Sequence, residues 1–296
     1  MARLRSECIL CLLRHHLDAS YDAAAEDVRR EYIQKLMGIL ASADRNTSTP
    51  LVIDRIVEMR KDYFPLADDY TEIKRHFNAL MMEYEPEARK KIAASDDPIR
   101  SALQFSMVGN FIDFGALDSV DETQLRGLLM GCDSIEVDET EYRRFREDLK
   151  TAGRLVLLSD NCGEIVMDKL LLEEIHMRYP RIKISVIVRG EPVINDATME
   201  DACQIGLADE FEVLGSGSGL GGTVPERLSP ESGAAFEAAD IIISKGQGNF
   251  EALHHCGRNV YYAFLCKCMM FAEIFHTKQF SGIFVSDDRL MREIVI

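Results

Sequence analysis

The pattern of hydrophobic and polar positions changes near residue 154. Before that point, apolar residues recur every three or four positions, as in 21–41, where they form one stripe along a helix of 3.6 residues per turn. Five further segments repeat this pattern, at 51–64, 69–82, 99–108, 121–130 and 139–150. We therefore predict that residues 1–150 form a helical N-terminal or cap region.

After residue 154, short apolar runs alternate with helical patterns. The predicted strands cover 154–158, 182–188, 210–214, 241–244, 260–265 and 283–285. The predicted helices between them cover 165–178, 198–205, 230–238, 250–255 and 268–276. Because strands that alternate with crossover helices form a mostly parallel sheet covered on both faces, we predict an α/β fold. Residues 151–296 would be its doubly wound core.

Composition and charge narrow the functional class. Hydrophobic residues make up 47% and charged residues 28%, and no apolar run approaches the roughly 18 residues of a membrane span. We find no secretion signal, so we expect a cytoplasmic protein with its eight cysteines as thiols. The net charge of −16 opposes phosphate backbones and anionic lipids, so we expect neither a nucleic acid nor a membrane partner. No feature of the sequence specifies an oligomeric state.

Polar side chains follow four of the predicted strands. In an open α/β sheet, ligands bind in the crevice at the carboxyl ends of the strands, so these side chains are candidates for one site. They are Asp160, Asn161 and Glu164 after the first strand, Arg189, Asn195 and Asp196 after the second, Lys245 and Asn249 after the fourth, and Lys267 after the fifth.

A simpler explanation exists for each of these residues alone. Aspartate and asparagine are common helix N-caps, and glutamate in a first turn suits the helix dipole. A lysine at a strand end is commonly a solvated surface charge. The same coincidence at four strand ends is much less probable, so we predict that the residues share one crevice.

The residue types indicate a metal and a phosphate. Aspartate and asparagine oxygens are hard ligands that suit Mg²⁺ or Mn²⁺, and Co²⁺ or Ni²⁺ are also possible. Lys245, Lys267 and the glycines of the Gly246–Gln247–Gly248 turn would hold a phosphate against that metal. A divalent metal polarises phosphoryl oxygens and lowers the pKa of a bound water. The predicted reaction is therefore hydrolysis of a small phosphorylated metabolite.

Six spaced motifs resemble those of a known family, and together they span nearly the whole chain. They are CILC at 8–11, GNFID at 109–113, SDNCGE at 159–164, VRGEPVINDAT at 188–198, ISKGQGNFE at 243–251 and FLCKC at 264–268. They are similar to the motifs of the damage-control phosphatase family, formerly domain of unknown function eighty-nine. The CxxC and GNxID motifs resemble its prokaryotic branch.

The resemblance implies a metal-dependent phosphatase that acts on sugar phosphates or damaged phosphometabolites. It implies Asp160, Asn161 and Asp196 as metal ligands, and Asp160, Asp196, Lys245 and Lys267 as catalytic residues. The substrate-binding residues that it implies are Glu164, Asn249, Arg189, Asn110 and Asp113.

The attacking group is either a metal-bound water or Asp160 as a nucleophile. Phosphatases of the haloacid dehalogenase type carry a DxD motif on the first strand, and residues 160–162 read Asp-Asn-Cys instead. The sequence therefore favours water.

Two other functions stay open. Residues 217–222 match GxGxxG, which would suit an S-adenosylmethionine-dependent methyltransferase, although they follow the third strand and precede Thr223-Val224-Pro225 rather than a helix. We favour a mobile loop or lid beside the pocket. A non-catalytic sensor of a metal or a phosphometabolite is the third hypothesis. Cys8 and Cys11 have the spacing of a redox pair or half a zinc site, but we favour buried or pocket-lining thiols.

Overall fold

The N-terminal half is helical in this computed structural model, which describes residues 4–20, 25–44, 47–64, 70–112 and 121–293. Its helices are α1 (Ser6–Ser20), α2 (Glu26–Ser42), α3 (Thr49–Arg60), α4 (Thr71–Ala94), α5 (Pro98–Gly109), α6 (Glu122–Met130) and α7 (Glu139–Thr151). The predicted helical region is thereby confirmed for the described residues. Across those ranges, no helix combines the length and the apolar character that crossing a membrane requires.

Strands and helices then alternate, as predicted. The strands are β1 (Arg154–Leu158), β2 (Lys183–Val188), β3 (Glu212–Gly215), β4 (Ile241–Lys245), β5 (Val260–Leu265) and β6 (Gly282–Ser286). The helices are α8 (Glu164–Arg178), α9 (Met199–Gln204), α10 (Pro230–Ala238), α11 (Gly246–Leu253), α12 (Met269–Ile274) and α13 (Asp287–Glu293). The predicted start of α11 at residue 250 is wrong, because Lys245 ends β4 and the helix begins at Gly246.

The six strands form one sheet in the order β3-β2-β1-β4-β5-β6. The first five are parallel, and β6 pairs antiparallel with β5. This confirms the mostly parallel α/β fold. The order along the chain reverses between β1 and β4, and open sheets bind ligands in the crevice outside such a switch point. The ends of β1 and β4 therefore flank the expected site.

Both faces of the sheet are covered. On one face, Met81 of α4, Leu103 of α5 and Phe145 of α7 share a core with α8 and with sheet residues such as Leu157. On the other face, α10, α11 and α12 pack through apolar side chains such as Phe236, Phe250 and Phe271. The helical half thus packs directly on the sheet. The division into domains at 1–150 and 151–296 stays a prediction.

Candidate active site at the strand ends

The turns that follow β1 and β2 pair with each other. Asn161 and Asp196 form an antiparallel bridge. The amide of Cys162 donates to the carbonyl of Asn195 at 2.8 Å, and the amide of Ala197 donates to the carbonyl of Asp160 at 2.7 Å. This short ladder brings together residues 160–162 and 195–197, which lie more than 30 positions apart in the sequence.

Arg189 joins the two aspartates of these turns. Its Nε donates to Asp196 Oδ2 at 2.6 Å, and its Nη2 lies 3.6 Å from Asp160 Oδ1. All three side chains are buried. Nη2 makes no hydrogen bond within the described part of the chain. The carboxylates of Asp160 and Asp196 therefore both lie close to the guanidinium of Arg189. Its Nη2 can still donate a hydrogen bond to a ligand.

Helix capping does not explain these residues. The N-cap of α8 is Gly163, and the N-cap of α9 is Thr198, which forms a capping box with Asp201. Asp160 and Asn161 precede the first cap and Asp196 precedes the second, so another reason is needed for their place at the strand ends.

The side chain of Asn161 is held in one orientation. Asn195 Nδ2 donates to the carbonyl of Ile112 at 3.2 Å and to Asn161 Oδ1 at 3.1 Å. On its other side, Asn161 Nδ2 donates to Glu164 Oε2 at 2.9 Å and to Asp160 Oδ2 at 2.6 Å. Because an amide oxygen has two acceptor sites, Oδ1 keeps one for a ligand.

Lys245 lies behind Glu164 in a buried ion-pair network. Its Nζ is 2.7 Å from Glu164 Oε1, 2.9 Å from Asp168 Oδ1 and 2.8 Å from the carbonyl of Ser106. These contacts use all three N–H groups of the ammonium. Burial by itself would lower the pKa of Lys245, but the carboxylates of Asp168 and Glu164 raise it. The direct contact of Lys245 with a phosphate stays a prediction.

Asp168 is a site residue that the sequence pattern missed. It is buried on α8 one turn after Glu164, and Ser106 Oγ donates to its Oδ1 at 2.6 Å. Burial raises the pKa of Asp168 to about 6, although Lys245 opposes the shift. A carboxylate inside the apolar segment 165–172 was the available signal, since charged residues are rarely buried without a partner.

Asn110 ties the helical half to two strand ends. Its Nδ2 donates to Asp160 Oδ2 at 3.0 Å and to Glu164 Oε2 at 2.8 Å, and its Oδ1 accepts from the amide of Leu265 at 3.1 Å. The structure thus brings the Asn of the GNxID motif into the site. Asp113 of the same motif lies outside the described residues.

Asn249 and Lys267 lie at the same edge of the sheet. Asn249 Oδ1 accepts from Arg189 Nη1 at 3.1 Å, and its Nδ2 donates to the carbonyl of Ser159 at 3.0 Å. Lys267 is buried, and its amide donates to Gln247 in the first turn of α11 at 2.9 Å. The predicted residues that the structure describes therefore lie at one edge of the sheet.

Gly246 allows α11 to begin against Asp160. Its φ is +77°, and a Cβ at this position would lie 2.0 Å from Asp160 Oδ2. Any other residue would push the carboxylate away. The glycine predicted to approach a phosphate therefore makes room for the carboxylate of Asp160.

The run at 217–222 is packed against α3 and α11 through Leu220, and its interpretation as a mobile lid stays a prediction. Leu220 and Val224 are buried with Ala252 of α11 and against Leu51 of α3. Thr223 donates to Asn249 Oδ1 from its amide at 2.8 Å and from its hydroxyl at 2.9 Å. The segment thus supports the residue that holds Arg189, and it follows β3 rather than β1.

The donors around Arg189 suit a hard divalent cation. Asp160 and Asp196 supply carboxylates and Asn161 an amide oxygen, which are the ligand types that Mg²⁺ and Mn²⁺ prefer. Over the described ranges, no three His, Cys, Asp or Glu side chains form a cluster that could hold a metal. The proposed ligand set would not form such a cluster, because only Asp160 and Asp196 are of these residue types and the third ligand is Asn161.

The CxxC pair lacks the lowered thiol pKa that marks a reactive cysteine. Cys8 Sγ lies 3.6 Å from Met270 Sδ. Burial, with Glu251 as a second cause, raises the pKa of Cys8 to about 11, and burial also raises the pKa of Cys11. Protonated thiols are poor nucleophiles. Cys8 is half-buried but Cys11 is exposed, so the expectation of two buried thiols is wrong for Cys11.

Fold and site together define a doubly wound α/β protein with two buried, arginine-bridged aspartates at its switch point. The chain matches the model of the damage-control phosphatase ARMT1-like domain over residues 4–282. It belongs to this family.

Its relatives and a solved structure agree with that membership. It is 33% identical over 255 residues to a damage-control phosphatase of Archaeoglobus fulgidus, covering 83% of this chain and 85% of the relative. It is 25% identical over 270 residues to one of Pyrococcus horikoshii, covering 90% and 92%. The crystal structure of a DUF89 family protein from Pyrococcus horikoshii superposes with a TM-score of 0.78 at 23% identity, over 97% of this chain and 100% of that chain. The prokaryotic branch stays a prediction.

Proposed function

We propose that this protein is a metal-dependent phosphatase that hydrolyses small phosphorylated metabolites, such as sugar phosphates or damaged phosphometabolites. The observation that carries the proposal is the convergence of Asp160, Asn161 and Asp196 through their paired turns, with Arg189 between the two carboxylates. The names of the family and of two relatives support phosphatase chemistry.

Asp160, Asn161 and Asp196 would hold Mg²⁺, Mn²⁺, Co²⁺ or Ni²⁺. When bound, such a cation polarises phosphoryl oxygens and lowers the pKa of its water. The ligand set is prepared by its neighbours: Asn195 orients the amide of Asn161, and Asn110 holds one oxygen of Asp160.

Arg189 is the proposed anchor of the phosphoryl group. Its Nη1 is held by Asn249, while its buried Nη2 makes no hydrogen bond in the described ranges and can donate to a phosphoryl oxygen. Guanidinium groups bind phosphate with directed, charge-assisted hydrogen bonds, which stabilise the charge that develops on the equatorial oxygens.

The two lysines are assigned different parts. Lys267, buried at the same edge of the sheet, is the proposed second cation for the phosphoryl oxygens. Lys245 acts through Glu164, because its ammonium is used by Glu164, Asp168 and the carbonyl of Ser106. It would hold Glu164 in place as the acceptor for the amide groups of Asn110 and Asn161.

Water is the preferred attacking group. Asp160 Oδ2 accepts hydrogen bonds from Asn110 and Asn161, and these fix the carboxylate as a ligand rather than leaving it to turn towards phosphorus. The residue two positions on is Cys162, so the turn has no second aspartate to serve as the acid of an aspartyl-phosphate mechanism.

Phosphate release from p-nitrophenyl phosphate and a panel of sugar phosphates tests the function. The protein is stripped with a chelator and assayed with each of the four metals. We expect hydrolysis with at least one metal and a loss of about a hundredfold or more on chelation. Equal rates with and without chelator would refute metal dependence. Metal binding without phosphate release from any ester would favour a sensor, and micromolar S-adenosylmethionine binding without metal would favour the methyltransferase.

A further inference from the structure

Two polar residues of α4, Lys74 and Asn78, lie one helical turn apart and contact α9 and its cap, and Asn78 also contacts the turn after β1. Lys74 is 8% exposed and Asn78 is 0% exposed. Their neighbours Phe77 and Met81 lie in the main hydrophobic core, so the two polar residues lie on a packed side of the helix. Burial of an amide and an ammonium is unfavourable unless their hydrogen bonds are satisfied.

Asn78 joins the turn after β1 to α9. Its Oδ1 accepts from the amide of Gly163 at 2.7 Å. Its Nδ2 donates to Asp201 Oδ1 and to Gln204 Oε1, both at 2.9 Å. One side chain of the helical half thus bonds both segments of the candidate site.

Gly163 packs the turn after β1 tightly against α4. Its φ is +68°, and a Cβ here would lie 2.7 Å from Ile112 Cδ1 and 3.1 Å from the carbonyl of Phe77. The turn is therefore pressed against α4, and the bond to Asn78 satisfies an amide that precedes α8.

Lys74 holds the second turn through α9. Its Nζ lies 2.7 Å from Asp201 Oδ2 and 3.2 Å from Thr198 Oγ1. Thr198 and Asp201 form the capping box that starts α9, two residues after Asp196. Lys74 thus holds the C-terminal end of one paired turn, and Asn78 holds the C-terminal end of the other.

We propose that Lys74 and Asn78 are positioning residues that fix the spacing of the two turns carrying Asp160, Asn161 and Asp196. A buried ion pair is weak support for stability, because apolar residues of similar volume commonly stabilise as well or better. The role of the Lys74–Asp201 pair here is geometric. Together with the amide of Asn78, it joins α4, α9 and the turn after β1 at defined distances. This inference rests on the proposed function, because the ligand set is part of that proposal.

Titration calorimetry of Mn²⁺ into the full chain tests the inference, with the melting temperature as a second readout. We expect Asn78→Ala and Lys74→Met each to weaken Mn²⁺ binding by about tenfold, the lower end of the loss seen for direct outer partners of a metal ligand, because both residues act on the ligands through the turns. Lys74→Arg keeps a cation for Asp201 and should retain most of the affinity. Tyr142→Phe is the control, because it removes a partly buried hydrogen bond to Asp97, which belongs to neither paired turn. It should lower the melting temperature and leave Mn²⁺ binding unchanged.

The possible outcomes distinguish failure of the positioning role from failure of the proposed function. The positioning role would be overturned if the wild type binds Mn²⁺ and the folded variants Asn78→Ala and Lys74→Met bind it with unchanged affinity. The proposed function would still stand. Absence of binding of Mn²⁺, Mg²⁺, Co²⁺ and Ni²⁺ alike in the wild type would overturn both. If Asn78→Ala does not fold, Lys74→Met carries the comparison, since methionine fills a similar volume and Asp201 keeps its hydrogen bonds from Asn78 and Thr198.

Discussion

The variant Asp196→Asn is expected to lose about a hundredfold or more in kcat/KM for phosphate release. Asparagine has the shape of aspartate, so the turn and its bridge to Asn161 should persist. The change removes one of the two carboxylates that would hold the metal, and it leaves Arg189 with Asp160 as its remaining charged partner. The loss should therefore appear as weaker metal binding together with a lower kcat at saturating metal.

The measurement is steady-state hydrolysis across a metal titration, with the melting temperature recorded for each protein. Asp209→Asn is the matched control, because Asp209 is exposed in the Leu207–Asp209 turn away from the crevice. It should retain wild-type activity. Full activity of a folded Asp196→Asn protein would remove Asp196 from the proposed ligand set.

The variant Lys245→Met is expected to lower the free energy of unfolding by about 3–5 kcal/mol. Lys245 is fully buried and is the cation between Glu164 and Asp168. Its removal leaves two carboxylates without that counter-charge in a site that water does not reach. Such uncompensated buried charges are far more costly than the loss of an exposed ion pair.

The same variant should show a characteristic pH dependence. Burial already raises the pKa of Asp168 to about 6 in the folded protein, and loss of Lys245 should raise it further. A carboxyl whose folded pKa lies above its unfolded pKa binds more protons when folded, so its contribution to stability falls as pH rises between the two values. The difference from wild type should therefore be larger at pH 8 than at pH 5.

Urea unfolding at both pH values measures these effects. Lys150→Met serves as the surface control, since Lys150 pairs with Glu147 at an exposed position and should change stability by less than about 1 kcal/mol. Adding Asp168→Asn to Lys245→Met should recover part of the loss, because it removes one uncompensated charge. A loss in Lys245→Met no larger than that of the surface control would contradict the network.

The strand ends were predictable from the sequence for a simple physical reason. A buried parallel strand is a short apolar run, and its carboxyl end is marked by the first polar turn, as at Asp160 and Asp196. Parallel strands align their carboxyl ends at one edge, so residues distant in the chain could be predicted to lie together. The pairing of their two turns then confirmed their proximity.

Three features of the structure could not be predicted from the sequence pattern. The antiparallel direction of β6 leaves no mark in a short apolar run, because both faces of the strand are buried in either direction. The sequence identified Lys245 as a lysine at a strand end. The orientation of its side chain, however, depends on contacts with Asp168 and Ser106, which lie on two different helices. Asn78 lies within an ordinary helical pattern, and its role depends on contacts with residues at least 85 positions away.

Diffraction from crystals soaked in Mn²⁺, recorded at a wavelength where manganese scatters anomalously, tests the central claim most directly. The account predicts one strong anomalous peak within about 2.5 Å of carboxylate oxygens of Asp160 and Asp196 and of Asn161 Oδ1. It predicts a weaker peak in crystals of Asp196→Asn that are soaked at the same Mn²⁺ concentration. A manganese peak bound elsewhere, in a protein whose phosphatase activity depends on that metal, would contradict the account.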